Sequence, residues 1–97
     1  MRVILRPAAA ADIEEAFLWY EDRESGLGHE FLEAVQSVLT NVGAQPRAYP
    51  VIHRNTRRAL LRRFPYGLFY RTYDEETVVV VACMHARRNP KEWRSRT

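Results

Sequence analysis

The chain has 97 residues, of which 46% are hydrophobic and 28% are charged, and its formal net charge is +3 at pH 7. This composition excludes disordered and fibrous proteins, and the length suits a single domain over residues 1–97 with one hydrophobic core. A single cysteine excludes a framework of intrachain disulfides.

The first predicted element is a short strand over residues 2–5, which ends before Pro7. The apolar stretch at the N-terminus is interrupted by Arg6, Pro7 and Asp12, so it is too short for a secretory signal peptide or a membrane span. We therefore expect a cytoplasmic protein with no membrane association.

Two helices are predicted next. The first covers residues 8–24 and is broken by the segment SGLG at 25–28; the second starts directly after this break and is stopped by Gly43 and Pro46. The apolar residues with helical spacing are Ile13, Ala16, Phe17 and Tyr20 in the first, and Phe31, Val35, Val38, Leu39 and Val42 in the second. Because the connection is so short, the two helices are expected to lie antiparallel, as a helical hairpin.

Residues 46–57 contain two prolines and no clear period, which predicts a surface loop. The segments 58–64, 66–73 and 78–85 are rich in β-branched and aromatic residues, and the charged turn DEET at 74–77 separates the last two. The pattern predicts three strands joined as an antiparallel meander.

The run from Val78 to Met84 shows no alternation of apolar and polar residues, which indicates a strand covered on both faces. The helical hairpin can cover one face. An arginine-rich tail is a poor cover for the other, so we expect a partner to supply part of it. Leu18 and Trp19 lie off the apolar stripe of the first helix and are candidates for a second adhesive surface.

Charge is distributed unevenly along the chain. Residues 1–45 carry three basic and eight acidic side chains (net −5), whereas residues 46–97 carry twelve basic and four acidic ones (net +8). A concentrated basic surface raises the local concentration of anionic ligands, so the C-terminal half is expected to face a polyanion or an acidic protein.

Two segments carry a family resemblance. RRFPYGLFYR at 62–71 and HARRNPKEWRSR at 85–96 stand in this order on either side of a valine-rich strand. Together with the predicted order of elements, they resemble the ParE branch of the ParE/RelE superfamily, the toxins of bacterial type II toxin-antitoxin (plasmid stabilisation) modules.

The resemblance implies an α+β fold in which an N-terminal strand and an antiparallel helical hairpin pack on a three- to four-stranded antiparallel sheet. It also implies a complex with a ParD-like antitoxin and inhibition of DNA gyrase. RelE-type relatives instead cut mRNA in the ribosome, and the fold alone does not decide between the two activities.

A nuclease of the RelE type needs a general base, a general acid and cations that stabilise the phosphorane. The candidates for these roles are His85, Tyr70, Arg63, Arg71, Arg87 and Arg88. A strand-end histidine that bonds the neighbouring loop, and a tyrosine that merely packs, are the simpler interpretations. Trp93 stands where RelE-type nucleases commonly place tyrosine or another polar residue, and an indole cannot transfer a proton as a phenol does. This departure favours the ParE branch, which needs no catalytic residues.

An inhibitor needs a docking surface, and interface energy concentrates in Trp, Tyr and Arg. The candidates for target binding are Arg87, Arg88, Trp93, Arg94 and Arg96; those for antitoxin binding are Phe17, Leu18, Trp19, Arg58, Arg62 and Arg71. Trp93 has an alternative role, in which it folds back on the sheet and pins the tail.

Other functions find less support in the sequence. The segment 57–63 could contact phosphates, but no motif for sequence-specific nucleic-acid binding accompanies it. His29 and His53 are too scattered for a metal site, so neither metal nor cofactor is expected. A third possibility is a degenerate module that retains only partner binding.

Overall fold

The computed structural model describes all 97 residues. Its elements in chain order are β1 (Arg2–Leu5), α1 (Pro7–Arg23), α2 (Leu27–Ala44), β2 (Val51–His53), β3 (Thr56–Leu60), β4 (Tyr66–Thr72), β5 (Thr77–His85) and α3 (Pro90–Arg94). The strands form one sheet in the order β1-β5-β4-β3-β2. Helices α1 and α2 pack on one face, which we call the inner face, and α3 lies on the other, the outer face. The predicted α+β class with a helical hairpin on the sheet is confirmed.

The helical hairpin closes through a turn that the segment SGLG permits. Gly26 has a φ of 91°, a left-handed conformation that glycine adopts without strain. The Glu21 carboxylate accepts hydrogen bonds from the backbone N–H groups of Gly26 and Gly28, both at 2.9 Å, and thereby caps the start of α2. The Gly26 amide is the main cause of a lowered pKa at Glu21. A Cβ on Gly28 would lie 2.8 Å from the Phe17 ring, so glycine here lets the helices approach closely.

The sheet departs from the predicted meander in three ways. It has five strands instead of three, because β2 adds one strand and β1 joins parallel to β5, with Val3 opposite Val78. The predicted loop at 46–57 contains strand β2, and the strand predicted at 58–64 runs from Thr56 to Leu60. The chain turns away soon after Leu60, since Arg63 has a φ of 69° that no strand accommodates.

Strand β5 is the centre of the core. Every residue from Thr77 to Met84 is buried, between β1 on one side and β4 on the other. In the pairing of β4 with β5, Tyr70 faces Val80 and Phe69 faces Ala82, so Val81 is the extra residue of a β-bulge. Val78, Val80 and Cys83 pack under the helical hairpin, whereas Val79, Val81, Ala82 and Met84 face outwards.

The chain itself covers the outer face of β5. Helix α3 folds back so that Trp93, which is 5% exposed, packs with Phe69 and the outward side chains of β5. The prediction that a partner must complete this strand's cover is therefore wrong. An arginine-rich tail succeeds as a cover because its one tryptophan buries about 150–250 Å², while the charges of Arg87, Arg88 and Arg94 stay in solvent. None of the helices combines the length and the apolar composition that crossing a bilayer requires.

Candidate functional site

The C-terminal tail is held to the sheet by an aromatic stack. The rings of Trp93 and Phe69 lie nearly parallel, at 21°, with their centroids 4.7 Å apart. Asn89 caps α3 by accepting the backbone N–H of Lys91 at 3.0 Å, and Pro90 occupies the first turn, where its missing N–H costs nothing. Trp93 therefore lacks the exposed position that was predicted for a target-binding anchor. It instead folds back on the sheet and pins the tail, which is the alternative role given above.

The end of the tail is held by an ion pair. An Nη1 atom of Arg96 lies 2.5 Å from Oδ2 of Asp12 in α1 and 3.2 Å from the carbonyl oxygen of Val81. The same Asp12 oxygen accepts the backbone N–H of Cys83 at 3.0 Å. The two side chains thereby satisfy polar groups on the part of β5 that lies beyond its pairing with β1. The prediction that Arg96 binds a target conflicts with this position.

Three tail arginines, Arg87, Arg88 and Arg94, remain exposed. Arg88 forms an exposed salt bridge with Glu92, with Nε 2.5 Å from Oε2. The Arg94 guanidinium lies 5.3 Å from the centre of the Trp93 ring. Arg87 and Arg88 lie between the end of β5 and α3, and Arg94 lies between Trp93 and Arg96. Because β5, Trp93 and Arg96 hold the backbone on either side, these three charges stand on an ordered segment of the surface.

The predicted nuclease residues do not form one site. Tyr70 is buried, and its hydroxyl donates to the carbonyl oxygen of Pro46 at 2.5 Å. Burial raises the pKa of Tyr70 to about 12. Tyr70 is also four residues along β4 from Tyr66, the neighbour of His85, which is about 13 Å in a strand. A buried phenol at that distance is not available to act with His85.

His85 does have the position of a strand-end residue. It is half-buried, its Nδ1 accepts the backbone N–H of Arg87 at 3.0 Å, and its ring lies 5.6 Å from that of Tyr66. This is the loop-bonding role that the simpler interpretation gave it. Arg63 is bound to α2, with its Nη2 atom 2.7 Å from Oε1 of Glu30. Arg71 lies on the outer face of the sheet, opposite Val79.

The predicted antitoxin-binding residues fall into separate groups. Leu18 and Trp19 are 57% and 48% exposed on α1, and the Arg23 guanidinium lies 3.3 Å from the centre of the Trp19 ring. Phe17 instead points inwards and meets the ring of His29 at 5.3 Å. Leu18 and Trp19 thus form an exposed apolar surface on the first helix.

The arginines of this set lie elsewhere. Arg58 and Arg71 stand on the outer face, where the Arg58 side chain extends over Gly67, 3.1 Å from the position of a Cβ there. Arg62 is exposed and lines a groove between α2 and the segment that joins β3 to β4. Arg58 and Arg71 share one face of the sheet, and the thickness of the sheet and the helices separates both from Leu18 and Trp19.

Sequence reasoning did not select two of the residues that organise this region. Asp12 binds Arg96 and the Cys83 amide. Tyr66 packs with His85 and, together with Trp19, lines a small cleft of about 60 Å³. Register along the β4–β5 hairpin could have placed Tyr66 beside His85, since both stand at the ends of their strands. No local signal marks Asp12. No three His, Cys, Asp or Glu side chains are grouped in a way that could hold a metal ion.

Comparison with known proteins finds one family. Residues 3–90 match the family described as ParE toxin of type II toxin-antitoxin system, parDE. The fold is similar to a solved chain described as a chromosomal ParDE TA system from P. aeruginosa, with a TM-score of 0.63 and 20% sequence identity, over 88% of this chain and 95% of that one. No curated protein matches in sequence.

Proposed function

Because the chain belongs to the ParE toxin family of type II toxin-antitoxin systems, we propose that it inhibits DNA gyrase in the cytoplasm and that a ParD-like antitoxin neutralises it. The observation that carries the proposal is the ordered tail. Trp93 and Arg96 anchor it, and between and beside these anchors Arg87, Arg88 and Arg94 face solvent. An inhibitor needs such a preorganised charged surface and no catalytic group.

The proposed target surface consists of the three tail arginines. Trp93 and Arg96 anchor the backbone that carries these arginines and do not themselves contact the target. This division follows from burial: Trp93 is 5% exposed, whereas Arg87 and Arg88 are exposed. Electrostatic attraction from such a surface speeds encounter with an acidic protein region or with gyrase-bound DNA.

The proposed antitoxin surface begins at Leu18 and Trp19. With the outer face of β5 already covered, this pair is the most exposed apolar surface on α1. The exposed Arg62 and the half-buried outer-face arginines Arg58 and Arg71 suit acidic segments of an antitoxin that wraps around the sheet. The proposal for antitoxin binding therefore keeps Leu18, Trp19, Arg58, Arg62 and Arg71 and omits Phe17.

The test adds the purified chain to gyrase with relaxed plasmid and ATP. We expect supercoiling to stop and cleaved plasmid to accumulate, because the inhibitor stalls the enzyme on cut DNA. The heat-denatured chain is the control. Normal supercoiling together with cut mRNA in a translation extract would establish the RelE-type nuclease instead, and inactivity in both assays would leave a partner-binding module.

A second measurement addresses the antitoxin. The chain is co-expressed with the antitoxin encoded beside it, and Trp19→Ala is compared with Arg47→Ala, an exposed position outside the proposed surface. We expect the Trp19 variant to lose affinity and the Arg47 variant to bind normally. Equal binding by both would remove Trp19 from the antitoxin surface.

A further inference from the structure

Two arginines of the sheet are half-buried without a partner. The half-buried arginines of the chain are Arg6, Arg57, Arg58, Arg71 and Arg96. Arg6 and Arg57 donate to backbone carbonyl oxygens, and Arg96 forms the ion pair with Asp12. Arg58 and Arg71 form neither an ion pair nor a side-chain hydrogen bond within the chain. Because partial burial of a charge costs free energy that a partner offsets, this pair is suited to an anionic ligand from outside the chain.

Both arginines stand on the outer face, around the stack of Trp93 on Phe69. Arg58 is opposite Phe69 in the pairing of β3 with β4, and Arg71 follows Phe69 by two residues in β4. The Arg58 side chain extends over Gly67, on the other side of Phe69 from Arg71. Gly67 and Arg71 are four residues apart, which is about 13 Å in a strand. One phosphate or carboxylate group is too small to bind both arginines, so the ligand that suits them carries repeated negative charges.

A third unpaired cation, Arg94, stands on α3 at the same face. Its guanidinium lies 5.3 Å from the centre of the Trp93 ring, whereas the one carboxylate of the tail, Glu92, is in a salt bridge with another arginine. Eight of the twelve carboxylates lie in residues 1–45, which form β1 and the helical hairpin, and three lie in the turn at 74–76. The molecule therefore has an acidic helical side and a basic outer side, and this asymmetry turns the outer side towards a polyanion.

The outer face offers charge without an apolar cleft. None of the cavities of the molecule is lined by Arg58, Phe69, Arg71 or Trp93. The Trp93 ring and the Arg58 stem already cover the sheet there, so a peptide finds no receptacle for apolar side chains. A nucleic acid backbone needs only cations at its phosphates, and a guanidinium group matches phosphate oxygens with two parallel hydrogen bonds. Nucleic acid is therefore favoured over an acidic peptide as the ligand.

We infer that the outer face binds the phosphate backbone of duplex DNA, with Arg58, Arg71 and Arg94 each contacting a phosphate around Trp93. The binding is independent of base sequence, because phosphate contacts carry no sequence information. The choice of DNA over RNA rests on the proposed inhibition of gyrase, an enzyme that acts on DNA. Arg58 and Arg71 also belong to the proposed antitoxin surface, so a bound antitoxin would exclude DNA from them.

The test titrates a labelled DNA duplex of about 20 base pairs with the purified chain and follows fluorescence anisotropy at several salt concentrations. Three phosphate contacts predict that the logarithm of the association constant falls with the logarithm of the salt concentration with a slope of about −2.7. Arg58→Gln together with Arg71→Gln removes two contacts and should bring the slope to about −0.9. The control is Arg23→Gln together with Arg47→Gln, two exposed arginines outside the outer face, which should leave the slope within about 0.5 of the parent value.

A second pair of variants separates charge from structure. Arg58→Lys together with Arg71→Lys keeps both charges and should keep the slope within about 0.5 of the parent value. If the double glutamine variant fails to fold, each single glutamine variant should reduce the slope by about 0.9. An unchanged slope in the glutamine variants, an equal loss in the control or in the lysine variant, or equal binding of a polyglutamate peptide would each overturn the inference. Binding of an RNA duplex about tenfold more tightly than the DNA would overturn the choice of DNA.

The outcome for gyrase is read separately. A chain that inhibits gyrase but does not bind the duplex would overturn this inference and leave the proposed function standing. A chain that binds the duplex with the expected salt dependence but leaves supercoiling intact would support the phosphate-binding surface and contradict the proposed function.

Discussion

Asp12 and Arg96 form a largely buried ion pair between residues 84 positions apart, with side chains 11% and 27% exposed. Asp12 also binds the amide of Cys83, and Arg96 the carbonyl oxygen of Val81. The pair occupies the part of the β5 edge that β1 is too short to reach. One ion pair therefore closes the sheet edge and joins the tail to the first helix.

Replacing Arg96 should loosen the tail and lower stability. Arg96→Ala leaves the Asp12 carboxylate with fewer partners in a largely buried position, so we expect the free energy of unfolding to fall by about 2–3 kcal/mol. Arg94→Ala, two residues away and exposed, should change it by less than about 0.5 kcal/mol. Urea denaturation measures both. Equal effects of the two substitutions would show that the ion pair contributes nothing specific.

Trp93 is expected to be the main source of the tail's stability. Trp93→Ala removes the stack on Phe69 and exposes Val79 and Met84, which should cost about 3–5 kcal/mol. Trp93→Phe keeps an aromatic ring on Phe69 and should cost less than half as much. Thermal unfolding compares the two. A tail that still protects the amides of β5 from hydrogen exchange in the alanine variant would contradict this role.

The protein should lose stability at alkaline pH. Burial raises the pKa values of the Cys83 thiol and the Tyr70 hydroxyl to about 12, above their ordinary values of 9.0 and 10.0. Between its ordinary pKa and about 12, each group is deprotonated in the unfolded chain but still protonated in the folded chain. The free energy of unfolding is therefore unaffected by these groups below about pH 9 and falls as the pH rises towards 12. Each group contributes up to about 1.4 kcal/mol per pH unit.

The measurement is denaturation at pH 8, 9, 10 and 11. Cys83→Ala removes one of the two titrating groups, so its stability should decline less steeply with pH than that of the parent chain. The thiol should also resist alkylation at pH 8 unless the protein is unfolded. Rapid alkylation of the folded protein would show that Cys83 is accessible.

The tail arginines should matter for toxicity and not for folding. Replacing Arg87 and Arg88 together with alanine removes exposed charge and one exposed salt bridge to Glu92, which should change the free energy of unfolding by less than about 1 kcal/mol. Growth inhibition and gyrase inhibition should both weaken. The control is the double substitution of Arg47 and Arg54, two exposed arginines outside the tail. A variant that fails to fold would assign Arg87 and Arg88 a structural role.

The sequence by itself determined the elements whose signals are local. The 3.6-residue spacing of Ile13 and Phe17, and of Phe31, Val35 and Val38, marks helices because each helix buries one stripe of its own surface. The glycines at 26 and 28 mark the turn, and the uniform valine strand marks a strand buried on both faces. These predictions hold because propensity and periodicity depend on residues within a few positions of each other.

Only the tertiary structure decided what covers that strand. Trp93 lies on its outer face, Arg96 reaches Asp12 across most of the chain, and β1 joins β5 in parallel. A hydrophobic pattern shows that a face is buried but does not show which distant residues bury it, because the hydrophobic effect is non-directional. The sequence therefore predicted a foreign cover for the strand, and the fold supplies that cover from the chain's own tail.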